Sequence, residues 1–73
     1  MSAKEQQMLK QRADGHWKAI CELRKKLNEF YEQGEPFTSE KMIRIGIKID
    51  RHGKQLIELD RQYEDLLLAA LPE

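Results

Sequence analysis

Residues 30–42 read Phe-Tyr-Glu-Gln-Gly-Glu-Pro-Phe-Thr-Ser-Glu-Lys-Met, and this stretch divides the chain into two arms. Gly34 is placed to end a helix by taking the left-handed conformation, and Pro36 prevents that helix from continuing. Thr38 or Ser39 can accept the orphan N–H groups of a second helix, and Glu40 sits at its positive end. With Thr38 as the cap, Phe37 and Met42 occupy the two positions of a hydrophobic staple. Only residues 34–37 remain for the connection, so the expected order is helix, turn, helix.

Working outward, Leu9, Ala13, His16, Ile20, Leu23, Leu27 and Phe30 recur at alternating intervals of four and three, which places them on one helical stripe. Trp17 and Tyr31 widen that stripe. The second arm repeats the pattern with Met42, Ile45, Ile49, His52, Leu56, Leu59, Tyr63, Leu66 and Ala70. A connection this short folds the arms antiparallel and pairs stripe positions whose numbers sum to about 72. Phe30 should then meet Met42, Ile20 should face His52, and His16 should face Leu56.

The expected fold is all-α: a two-helix antiparallel hairpin with coiled-coil-like packing, one domain over residues 1–73, with helices near 3–33 and 38–71 and a turn at 34–37. Asp14-Gly15 disfavours a helix interior, so residues 1–14 are expected to fray or form a separate turn. The apolar run Leu66–Leu71 overhangs that segment and needs cover. A homodimer arranged as a four-helix bundle would supply it.

The chain has 73 residues, with 13 basic and 13 acidic side chains and no net charge, so it has room for one modest core and no overall basic field. Neither nucleic acid nor a membrane surface is an expected partner. Lys4, Glu5, Lys10, Arg12 and Asp14 stand where a signal peptide needs an apolar stretch, and no apolar run approaches a spanning helix, so a cytoplasmic location is expected. Cys21 stands alone and makes neither an internal disulfide nor a cysteine-based zinc site. No nucleophile triad or Gly-rich phosphate loop is visible. His16 and His52 read as half-buried structural residues a helical turn apart, because a two-histidine metal site lacks a third ligand and Cys21 lies off the stripe. No metal and no cofactor of its own are expected.

The second arm carries more apolar residues than its seam uses. Ile43, Ile47 and Ile57 share a separate flank with Asp50 and Lys54, and Gly46 and Gly53 stand one heptad apart beside it. An apolar surface rimmed by charge marks a protein interface. Ile43, Gly46, Ile47 and Ile57 would bury against the partner, with Arg44, Arg51 and Lys54 as the charged rim.

Residues 20–51, I-C-E-L-R-K-K-L-N-E-F-Y-E-Q-G followed by F-T-S-E-K-M-I-R-I-G-I-K-I-D-R, resemble the small sporulation-regulatory aspartyl-phosphate phosphatases of spore-forming bacilli. In that family an I-x-x-L-R-x-x-L helix runs through a Gly-containing turn into a second helix with an S-Q-E-L-D signature. Here the signature falls on Gly46, Ile47, Lys48, Ile49 and Asp50, which keeps the acid and a branched aliphatic and replaces the other three. The resemblance implies a helical hairpin that docks the receiver domain of a sporulation response regulator and removes its phosphoryl group. Asp50 would then be the catalytic residue, beside a divalent metal carried by the receiver. A second reading keeps the flank and omits the chemistry: a non-catalytic inhibitor or adaptor.

Overall fold

The computed structural model describes residues 3–71, which form two helices, α1 (Ala3–Glu32) and α2 (Glu40–Ala70). They fold back on each other as an antiparallel hairpin measuring 57 × 17 × 13 Å. Among the described residues no helix is long and apolar enough to cross a membrane.

Gly34 makes the reversal at φ 84°, as its sequence position predicts. The Gly34 N–H donates to the Tyr31 carbonyl at 3.0 Å, and the Glu35 N–H donates to the Phe30 carbonyl at 3.0 Å. These paired bonds form a Schellman closure, which satisfies two carbonyls that a helix end otherwise orphans. Next, the Ser39 N–H donates to the Pro36 carbonyl at 2.9 Å and closes a four-residue turn.

That turn decides between the two expected caps and starts the second helix at Glu40, two residues after the expected position. It takes up Thr38, so the cap falls on Ser39, whose backbone is extended and whose hydroxyl accepts the Met42 N–H at 3.4 Å. Of the expected staple pair, Phe37 is 65% exposed and stacks on Tyr31 with ring centroids 5.2 Å apart, while Met42 is buried.

α1 runs without interruption through Asp14-Gly15, contrary to the expected break. One glycine costs a helix about 1 kcal/mol. Leu9, Ala13 and Trp17 line a groove of about 630 Å³ with Leu56, Leu59 and Tyr63 of α2, so α1 faces α2 on both sides of Gly15.

The seam is thin. Ile20, Met42, Ile45 and Leu59 are buried, while the remaining stripe residues are half-buried or exposed. Leu67, Leu68 and Leu71 at the open end are exposed, as are Trp17, Ile43, Ile47 and Ile57. At the centre of the seam His16 and His52, expected a helical turn apart, meet directly.

A Cβ added at Gly46 or Gly53 would meet nothing within 4 Å, so the hairpin's own packing does not require either glycine. Gly46→Ala and Gly53→Ala should each raise unfolding stability by roughly 0.5–1 kcal/mol in urea titrations followed by circular dichroism. Gly34→Ala should lower it by about 1–2 kcal/mol, because a Cβ at positive φ meets the following carbonyl.

Candidate functional site

α2 presents the sequence-predicted flank to solvent because its seam residues face α1 on the other side. Ile43 and Ile47 lie about half exposed, and Ile57 is 68% exposed. The Asp50 side chain is 65% exposed and its Oδ2 lies 3.2 Å from the Lys54 Nζ, one helical turn away. The carboxylate therefore stands outside the bundle with a flexible, solvated partner.

α1 contributes to this surface as well. Trp17, Ile20 and Arg24 join Ile49, Asp50, Gly53, Lys54 and Ile57 around one shallow hollow. Trp17 is 55% exposed, so its indole forms a wall of the hollow and is not core. The contribution of Trp17 and Arg24 was not foreseen. Their signal was present, since they stand seven residues apart beside the α1 stripe, but only the pairing of the helices shows which side of α2 they meet.

The predicted rim does not stay together. Arg44 pairs with Glu40 on the first turn of α2. Arg51 lines a separate hollow with His16, Lys48, His52, Lys54 and Gln55, and Lys54 borders both hollows. Gly46 is exposed and Gly53 half-buried, which leaves the stretch beside Asp50 low and open. The flank is thus an apolar ridge of Ile43, Ile47 and Ile57 with Asp50 and Lys54 along it. One side descends toward Trp17 and the other toward a basic hollow.

The His16 and His52 Nδ1 atoms are 2.8 Å apart, and their ring centroids 5.1 Å. One nitrogen must donate and the other accept. Among the described residues, no three His, Cys, Asp or Glu side chains are grouped so as to hold a metal ion. Cys21 is exposed and has no disulfide partner.

No family model, curated protein or solved structure matches this chain.

The Asp50–Lys54 pair is an i, i+4 contact in water and is worth at most about 0.5 kcal/mol. Asp50→Asn should therefore leave the urea midpoint within about 0.5 kcal/mol of the parent on conversion to free energy. A functional loss in that variant then reports on the carboxylate and not on folding.

Proposed function

We propose that this hairpin is a cytoplasmic negative regulator that docks a response-regulator receiver domain and hydrolyses its phospho-aspartate. The resemblance of residues 20–51 to the sporulation phosphatases supplies the chemistry. The observation that supports it is the exposed Asp50 carboxylate standing on a ridge of uncovered isoleucines.

In this reading the isoleucines supply affinity. Fully burying such a side chain is worth about 1.5–3 kcal/mol, so covering the exposed halves of Ile43, Ile47 and Ile57 contributes roughly 1 kcal/mol each. Gly46 lets the partner approach the ridge closely, and Arg44, Arg51 and Lys54 meet acidic groups around the receiver's site. Lys54 gives up little when Asp50 turns to a new partner, because their exposed pairing is weak. Asp50 orients a water for in-line attack on phosphorus. The P–O bond to the receiver's carboxylate breaks, leaving inorganic phosphate and a free carboxylate, and the water's proton passes to solvent through Asp50.

A specific observation favours a second reading, in which the same ridge serves a non-catalytic inhibitor or adaptor. Ile47 and Lys48 stand where the family has glutamine and glutamate, so the amide and second carboxylate are absent from the turn before Asp50. Both readings admit a homodimer. A second copy covering Leu67, Leu68 and Leu71 at the open end would complete a four-helix bundle and leave the ridge free.

A radiolabelled phospho-receiver assay separates the two. Under the phosphatase reading, Asp50→Ala stops phosphate release and changes receiver binding by no more than a few-fold; if the parent chain binds the receiver and releases no phosphate, the adaptor reading stands. Ile47→Lys should weaken binding at least tenfold in both, equivalent to about 1.4 kcal/mol. Sedimentation equilibrium over a range of concentrations should show a dimer, and a single species at monomer mass would remove the bundle.

A further inference from the structure

The geometry points to a proton-coupled site for a small tetrahedral dianion, of the phosphate or sulfate kind, in the basic hollow beside the His16–His52 contact. Lys48, Arg51, Lys54 and Gln55 line this hollow from α2 together with His52, and His16 joins it to α1. No acidic side chain lines it, although the chain as a whole carries as many acids as bases. The two rings are half-buried and the three cations exposed, so the hollow has a fixed floor and mobile walls.

Its cations are left out of the pairing that operates elsewhere on α2. Arg44 has Glu40 and Lys54 has Asp50, each one helical turn away. Lys48 and Arg51 have no acid three or four positions away in either direction, and among the described residues neither is in an ion pair. Instead Lys48, Arg51 and Lys54 follow one another at intervals of three, a spacing at which like charges repel. A dianion among them removes that repulsion and gains N–H donors that no carboxylate already holds, with the Gln55 amide as a further donor.

The imidazole pair supplies the proton coupling. Nδ1 atoms 2.8 Å apart share one hydrogen, so one ring donates and the other accepts. In the uncharged pair the accepting ring carries its own hydrogen on Nε2, while the donating ring has a bare Nε2 that repels an anion. One proton added to that bare nitrogen makes both Nε2 atoms donors and leaves the bond between the rings intact and charge-assisted. A second proton has no place without breaking that bond. Lys48, Arg51 and Lys54 oppose the added proton while the hollow is empty, and a bound dianion favours it. His16 is the one titratable group that α1 brings to the lining. Binding therefore takes up as much as one proton and strengthens as pH falls through the imidazole range.

The test is an NMR titration of the full chain with sodium sulfate, compared with sodium chloride at equal ionic strength, at roughly pH 6 and roughly pH 8 on either side of the ordinary imidazole range. Sulfate is the probe because its own charge is constant between those values. It should give saturable shifts around His16, Lys48, Arg51 and His52 that chloride does not, with binding about fivefold or more tighter at the lower pH. The double variant Lys48→Gln/Arg51→Gln, at two exposed positions outside the seam, should weaken sulfate binding about tenfold. His16→Gln/His52→Gln should remove the pH dependence. Inorganic phosphate and methylphosphonate, compared at one pH, distinguish the sources: binding of both supports a site for a phosphoryl group carried on a larger molecule, and binding of phosphate alone supports a site for the free ion. Equal, unsaturated responses to the two salts, shifts centred on other cations such as Arg24, Lys25 and Lys26, or undiminished binding in Lys48→Gln/Arg51→Gln would overturn the site, and equal affinity at the two pH values would overturn its proton coupling. No receiver is needed for these measurements, so their outcome is separate from that of the proposed activity.

Discussion

The fold depends on a reversal of chain direction within seven residues, and that reversal depends on one left-handed backbone position. Gly34 at φ 84° lets two N–H groups turn back onto the last carbonyls of α1, so the first helix ends with its backbone satisfied. Pro36 then opens a second turn whose closing residue, Ser39, is also the cap of α2. Because the two turns share a short segment, the start of α2 is placed relative to the end of α1 with almost no slack. The pairing of the two stripes follows from that placement.

Two helices in contact bury only one side of each, and this hairpin shows the consequence. Among the described residues four apolar side chains are buried, while the indole of Trp17, the outward isoleucines and the C-terminal leucines stay largely in water. A chain of this size with so thin a seam has little stability in reserve. Much of its apolar surface is left uncovered by the hairpin itself. The glycines at 46 and 53 fit this picture, since neither is needed to bring α1 and α2 together.

Polar groups divide the surface of α2 into two hollows of different character. On one side Asp50 stands with Trp17, Arg24, Gly53 and Ile57. On the other, two imidazoles meet among Lys48, Arg51 and Gln55. Lys54 borders both and pairs with the carboxylate. An exposed acid with a weakly held cation can exchange partners at little cost, which is the property a docking surface needs.

Much of this was legible in the sequence because its causes are local. The alternating four and three spacing defines a helical stripe, Gly34 and Pro36 mark the reversal, and a heptad count places Ile43, Ile47, Asp50 and Ile57 away from the seam. The tertiary structure decided what depends on distances between residues far apart in the chain. The approach of α1 to α2 brought His16 and His52 into direct contact, and this turned two separate ring positions into a pair. The choice of Ser39 over Thr38 depended on the turn before it. Trp17 and Arg24 joined Asp50 only because the antiparallel packing turned that side of α1 toward it. Periodicity identifies which face of a helix is apolar; the rotation and register of its neighbour determine what that face meets.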